Sequence, residues 1–342
     1  MPKQLPLHEF WKALQPEWCE IQGWQLPEKF LEEVSLFAAS QSKWVLDQSY
    51  RTKIEITGND RMDFLHRLLT HDIESLKPNT GCYVFFLSAQ GKILWDARLW
   101  NLTNRILLDA ETNVGSLIQS SLEKFLFSEE VTLRDVTSEL VHLSFLDTPP
   151  SFHPVPHVTN IPLCQEESNL SLWCSPMGFS PQQWDWIGNP KSAISLLQQF
   201  HQEKNSHIIG CAQGETWRIL HGIPRFGFDF QAGDLLSDTG LEDWSVSETK
   251  GCYPGQEVVA KMKTYNGYHQ KLAQFQSGAA TLEKILKDAT GEEIGNITST
   301  ALDKHSHAGG LAYLKKTTYE KLAGLNALKI GNLTFYPLGT VR

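Results

Sequence analysis

Lys250-Gly251-Cys252-Tyr253-Pro254-Gly255-Gln256-Glu257-Val258-Val259-Ala260-Lys261 is the densest run of chemically usable residues in the chain. Gly251 and Gly255 permit tight turns that other residues resist. Pro254 cannot continue a preceding helix but can begin a new one. Gln256 to Met262 have helical residue types, so the pattern predicts Cys252 in a sharp loop just ahead of a helix N-terminus. A helix N-terminus favours anions, and Lys250 is two residues away; both favour a reactive thiolate. The residues alone leave a second reading open, a buried structural cysteine in a turn.

The remaining cysteines, Cys19, Cys82, Cys164, Cys174 and Cys211, form no C-x-x-C pair. Sparse, scattered cysteines suit a reducing cytosol, and a cytoplasmic location is expected. An iron–sulfur cluster held by one chain usually takes four Cys ligands, often closely spaced. No such spacing exists here, so stable cluster binding by this chain alone is not expected, while transient ligation or thiol chemistry at Cys252 stays open. His153 and His157 lie among prolines without supporting Cys or carboxylates, read as loop residues, and leave no expected metal site. The formal net charge of −9 supplies no general basic surface for phosphates, so direct nucleic-acid binding is not expected. The start, with Glu9 and Lys12 breaking its apolar run, does not read as a secretory signal. No apolar stretch reaches the roughly 18 residues that suggest a membrane helix.

The elements that must position these residues follow from periodicity. Phe30, Leu31, Val34 and Phe37 predict a helix over 27–40. Residues 51–140 read as one α/β unit: a strand at 53–57, Asn59 as N-cap of a helix over 60–70, and a hairpin of Tyr83–Leu87 and Lys92–Trp100 around Ala89-Gln90-Gly91. A strand Arg105–Leu108, a helix over 113–126 and a strand Glu130–Arg134 complete it. Strands with helices on one side imply an α+β layer. Strands Val141–Phe145 and Leu170–Cys174 and helices over 191–203 and 212–221 follow. The last 70 residues alternate short strands with Gly, Asn and Ser turns, which suggests a small β-barrel.

The Lys250–Lys261 segment resembles the K-G-C-Y-x-G-Q-E signature of YgfZ proteins and their mitochondrial iron–sulfur assembly relatives. Arg218-Ile219-Leu220-His221-Gly222-Ile223-Pro224-Arg225-Phe226-Gly227-Phe228-Asp229 is similar to a stretch shared with the glycine-cleavage T-protein. So are Ile56-Thr57-Gly58-Asn59-Asp60-Arg61, Phe64-Leu65-His66, Thr70-His71-Asp72-Ile73 and the late segment Gly291–Ser299. The resemblance covers about residues 45–342. It implies an α+β fold of three domains in a ring: residues 1–48 with 138–268, residues 49–137, and a C-terminal β-barrel over 269–342, the first two ferredoxin-like. It also implies a central funnel for tetrahydrofolate or a derivative, and a role in maintaining iron–sulfur enzymes, some of them tRNA-modifying. Folate and iron–sulfur enzymes or assembly proteins are therefore the expected partners.

The related aminomethyltransferase activity uses a paired-acid motif, G-G-I-x-D-D, in a hairpin strand. Here that strand reads Gly91-Lys92-Ile93-Leu94-Trp95-Asp96-Ala97-Arg98 and keeps one acid, Asp96. Period-two alternation puts Asp96 and Arg98 on one face and Trp95 on the other. Arg98 then reads as holding Asp96 ionised, as binding a ligand carboxylate, or as a surface ion pair. Asp238 loosely matches a pterin-contacting glutamate, and Tyr83 either packs against the ring system or belongs to the core. Lys250, Lys261, Lys263 and Lys271 read as a basic mouth for the folate tail or as a solvated face. By resemblance, Cys252, Lys250 and Asp96 carry chemistry, and Tyr83, Asp96, Arg98, Asp229, Asp238, Tyr253, Gln256, Glu257 and Lys261 contact folate. Aminomethyl transfer and a folate-sensing docking scaffold are the competing readings.

Overall fold

Alternation of apolar and polar residues over Thr52–Thr57 and Ile93–Leu102 builds a five-stranded antiparallel sheet. Its strand order is Thr80–Leu87, Ile93–Leu102, Arg105–Ala110, Thr52–Thr57, Thr132–Asp135. The chain is seen as a computed structural model, which describes residues 1–30, 42–147, 150, 171–174, 182–280, 282–303 and 305–339. Among the described residues the architecture is mixed α/β, with four sheets and interspersed helices.

One face of this first sheet carries Val84, Phe86, Trp95 and Leu99 against Phe64, Leu65 and Leu68 of helix Arg61–Leu68 and Ile118 and Leu122 of helix Gly115–Glu123. Each such buried side chain contributes about 1.5–3 kcal/mol relative to exposure. The other face sends Tyr83, Phe85, Leu87 and Ile93 into a central core. Strand period produces this division along 83–87, because neighbours on a strand point to opposite faces. Ile93 and Trp95, two residues apart, are split between the faces by a register shift where Phe86 pairs with Trp95 and Leu87 with Ile93. Asn59 is not the helix cap: Asp60 occupies that position without a side-chain cap bond, and Asn59 Nδ2 donates instead to Glu130 Oε2 at 2.6 Å.

A second sheet has the order Ser171–Cys174, Gln183–Gly188, Val141–Leu146, Lys43–Asp47, Ser206–Ile209. It joins chain from both sides of the first sheet's sequence, and Lys43–Asp47 pairs antiparallel with Val141–Leu146 and parallel with Ser206–Ile209. Its helix Pro190–His201 begins with Asn189, whose side chain accepts from Ser192 N. The third sheet has six strands, ordered Ile285–Lys287, Glu293–Leu302, Ala308–Lys315, Gln270–Ser277, Leu333–Pro337, Leu328–Ile330. It is a half-barrel: its pairings are antiparallel and, among the described residues, its two edge strands do not pair with each other.

A three-stranded sheet of Lys3–Gln4, Trp24–Lys29 and Glu17–Ile21 covers the start. This corrects the expected helix over 27–40 at its first residues. Leu26 and Trp24 are buried and the strand runs through Lys29, while residues 31–41 lie outside the described residues. His153 and His157 also lie outside them.

The central core is where three sheets meet. It contains Leu46 of the second sheet, Tyr83 and Phe85 of the first, Leu272, Leu311 and Tyr313 of the third, and Trp217 of helix Cys211–Leu220. Among the described residues, no helix is long and apolar enough to cross a membrane.

Candidate functional site

Beside this core lies a cavity of about 570 Å³. Its wall takes Asp96, Ala97 and Arg98 from strand Ile93–Leu102, Asp109 from the next strand, Asp185 from the second sheet, and Glu215, Trp217 and Arg218 from helix Cys211–Leu220. Tyr50, Tyr83, Phe226 and Phe228 add aromatic surface. Strand alternation aims Asp96 and Arg98 inward. Trp95 points the other way, stacked on Phe86 with ring centroids 5.1 Å apart, and its indole N–H donates to Ser121 Oγ at 2.8 Å.

Most charged groups of the cavity belong to one alternating chain. Asp185 pairs with Arg98, and Arg98 reaches Asp109 at 2.6 Å. Asp109 meets Arg51 at 3.0 Å, and Arg51 meets Glu111 at 3.3 Å. Arg225 donates twice to Glu111, at 2.7 and 2.9 Å, and reaches Glu215 at 3.1 Å. Glu215 meets Arg218 at 2.5 Å, and Arg218 meets Asp229 at 2.6 Å. Asp229 in turn accepts from Thr298 and Ser299 of the half-barrel sheet, both at 2.6 Å. The chain of charges thus runs through all three larger sheets. Breaking one link of such a buried series leaves an uncompensated charge, which typically costs about 3–5 kcal/mol.

The titration behaviour follows from these contacts. Burial opposes ionisation of Asp109, but Arg51 and Arg98 outweigh it and hold the carboxyl well below its usual range. Glu111 is likewise buried, yet Arg225 and Arg51 bring it down to about 2. Asp96 differs. Its Oδ2 accepts from the Tyr83 hydroxyl, and none of the ion pairs of the arginine series includes it. Burial therefore dominates and lifts it to about 6. Arg98 does not pair with Asp96 as the strand pattern suggested; its guanidinium turns to Asp109 and Asp185.

The Lys250–Lys261 segment lies apart from this wall, and none of its residues lines the cavity. Cys252 is exposed. Lys250 is 7% exposed, and its ammonium donates to the carbonyls of His66 and Leu69 and, at 3.3 Å, of His71. These are carbonyls at and just beyond the end of helix Arg61–Leu68, which lack helical partners of their own. The Lys250 charge is thus committed to another element, and burial lowers it to about 8. Its Nζ also sits 5.0 Å from the centroid of Tyr253, which is buried in the central core.

Gly255 has φ +81, and a Cβ there would meet Ser88 O at 2.6 Å and Gly91 Cα at 2.9 Å. The glycine lets the loop press on the tip of the hairpin that carries Asp96. Helix Gln256–Thr264 starts directly after it. Gln256 opens that helix, and Glu257 pairs with Lys261 at 2.5 Å on its exposed side. Lys263 pairs with Glu248 and Lys271 with Glu242, so the lysines of the expected basic mouth each have a local acid or carbonyl partner. Asp238 accepts from the His269 backbone N–H at 3.0 Å and is not on the cavity wall. Asp229 is the ion-chain terminus described above.

Sequence reasoning missed Arg51, Asp109, Glu111, Asp185 and Glu215. The i, i+2 spacing of Asp109 and Glu111 was the available signal, since it puts both acids on one side of an otherwise apolar strand end. Arg218 and Arg225 were inside a recognised motif, but nothing local identified their partners.

The family model described as GCVT N-terminal domain matches residues 7–149. An aminomethyltransferase of Bacillus licheniformis is 31% identical over 344 residues, covering 92% of this chain and 91% of its own length. A chloroplastic protein of Arabidopsis thaliana named as a transferase is 25% identical over 304 residues, covering 83% of this chain and 68% of its own. The crystal structure of glycine cleavage system aminomethyltransferase T from Bartonella henselae superimposes with a TM-score of 0.81 at 18% identity, covering 100% of this chain and 98% of that one, a match of fold.

Proposed function

The chain belongs to the aminomethyltransferase family, the T-protein family of the glycine cleavage system, and on that footing we propose that its cavity binds a reduced folate and that Cys252 serves iron–sulfur enzymes. The observation that carries the folate reading is Asp96. It is a cavity carboxylate outside the arginine series, with a Tyr83 hydroxyl as its partner. Adjacent N–H donors of a pterin suit such an acceptor. The volume of about 570 Å³ falls within the usual range for a small-molecule site. Aromatic Tyr83, Trp217 and Phe226 on the wall suit a flat ring. Bound tetrahydrofolate would supply a nitrogen nucleophile or a one-carbon carrier. Asp96, lifted to about 6, can hold or release a proton at its carboxyl near neutral pH.

The iron–sulfur reading rests on the Cys252 motif. Lys250 and Gly255 anchor a loop that presents the thiol at the surface, where a protein partner can reach it. The acid pair of the transferase is reduced to Asp96, with Trp95 committed to the core. The finer fold reading, three domains in a ring with ferredoxin-like units, and a cytoplasmic location belong to the same proposal. Aminomethyl transfer is the second reading, favoured by the retained and raised Asp96.

Titrating tetrahydrofolate while following Trp fluorescence tests the binding step, because Trp217 lines the cavity. Saturation in the native protein and at least a roughly tenfold weakening in Asp96→Asn are expected, a loss of about 1.4 kcal/mol. Equal affinity in the two proteins rejects the assigned site. Ammonia release at an enzymatic rate from an aminomethylated lipoyl carrier selects the transferase reading. Iron–sulfur enzyme activity in cells carrying Cys252→Ala is expected to fall, and normal activity rejects the thiol role.

A further inference from the structure

Cys19 and Cys211 are separated by 192 residues, yet their sulfurs lie 3.3 Å apart. Cys19 belongs to strand Glu17–Ile21 of the three-stranded sheet, and Cys211 is the first residue of helix Cys211–Leu220. Both line the cavity and both are partly accessible. The two elements are held firmly together. A Cβ on Gly210, just before the helix, would lie 2.0 Å from Glu28 O in the neighbouring strand. A sulfur–sulfur contact of this kind is a weak hydrogen bond as it stands. Disulfide formation requires a closing of little more than about 1 Å to the bonded distance of about 2.05 Å.

We propose that Cys19 and Cys211 form a reversible disulfide on the cavity wall, a modification site for peroxide. The pair is independent of Cys252, and its formation does not depend on what the cavity binds. Burial and the adjacent Cys19 push the Cys211 thiol up, and in the proposed first step Cys19 is the sulfur that takes the oxygen. In that step the Cys19 thiolate displaces hydroxide from hydrogen peroxide, giving a sulfenic acid, and the hydroxide leaves as water after protonation. The Cys211 sulfur then attacks the Cys19 sulfur. The S–S bond forms, the S–OH bond breaks, and the Cys211 proton leaves with that hydroxide as a second water. The two sulfurs together lose two electrons, and the peroxide is reduced to two waters. A dithiol reductant restores both thiols by exchange. The product staples the N-terminal sheet to the helix that carries Glu215, Trp217 and Arg218, all cavity residues.

The test exposes the purified full chain to hydrogen peroxide, blocks free thiols with an alkylating agent, and maps peptides without reduction. The expected result is a cross-linked pair of peptides containing Cys19 and Cys211, lost on treatment with dithiothreitol. Cys19→Ser and Cys211→Ser each abolish it, and Cys252→Ser leaves it. Far-ultraviolet circular dichroism of the serine variants checks that they fold, and the native protein alone decides the matter if one does not. Cys19 and Cys211 that both remain alkylatable at a peroxide dose that oxidises Cys252, or that advance separately to sulfinic acid, overturn the proposal.

Discussion

The Tyr83 hydroxyl donates to the Asp96 carboxylate inside the cavity, on the same strand face from which Arg98 departs toward Asp109 and Asp185. Two neighbouring inward positions of one strand therefore carry opposite electrostatic fates. Arg98 is tied into a saturated ion series, while Asp96 holds a neutral partner and keeps a proton to higher pH.

Asp96 should make the protein less stable as pH rises. Its folded value of about 6 exceeds the ordinary 3.8, so its contribution is fully present below the ordinary value and is lost as pH climbs through about 6. Asp96→Asn removes that loss. The variant should gain on the native protein between pH 4 and pH 7.5 by up to about 3 kcal/mol, from about two pKa units at 1.36 kcal/mol each. Urea midpoints at the two pH values measure it, and a pH-independent difference contradicts the assignment.

Glu111 works in the opposite direction. Its value of about 2 lies below the ordinary 4.5, so its contribution is present above 4.5 and disappears as pH falls toward about 2. Glu111→Gln should cost about 3 kcal/mol at pH 7, in line with a broken buried ion pair. The gap between the variant and the native protein should narrow steadily below pH 4.5. Chemical denaturation across pH 3–7 reads this directly, and a constant gap would show that Arg51 and Arg225 do not control the carboxyl.

Lys250 and Cys252 should separate cleanly in stability. Lys250→Met strips the donor from the carbonyls of His66, Leu69 and His71, each worth about 1–3 kcal/mol if left unsatisfied. Removing the costly buried charge offsets part of this, leaving a net loss of about 2 kcal/mol. Because the folded Lys250 titrates near 8 and the ordinary lysine near 10.5, native stability should rise between those values, and the variant should lack the rise. Cys252→Ala, at an exposed position, should stay within about 0.5 kcal/mol of the native protein. Thermal melts of both variants at pH 7 and 9.5 check the pair; a stable Lys250→Met would sever the lysine from the helix end.

Gly255→Ala tests the contact between the cysteine loop and the hairpin tip. The new methyl combines a left-handed φ of +81 with a 2.6 Å approach to Ser88 O. A loss of about 1–3 kcal/mol is expected, with the loop at Cys252 made more accessible to limited proteolysis. Unchanged stability and cleavage would mean that the two turns do not need their close approach.

Period-two and helical spacing, read along the chain, were enough to locate Thr52–Thr57, the hairpin around Gly91, helix Arg61–Leu68 and the turn-then-helix at Gly255–Gln256. They also put Asp96 and Trp95 on opposite faces of their strand, because backbone geometry alone sets which side chains share a face. Pairing is another matter. Arg98 meets Asp109 across a neighbouring strand and Asp185 in a different sheet, Lys250 reaches carbonyls some 180 residues earlier, and Cys19 touches Cys211 across almost two hundred. No local pattern encodes such meetings. They arise only when sheets pack around a shared core and buried charges must find partners within a few ångströms, a demand that desolvation imposes on the assembled protein and not on any segment of it.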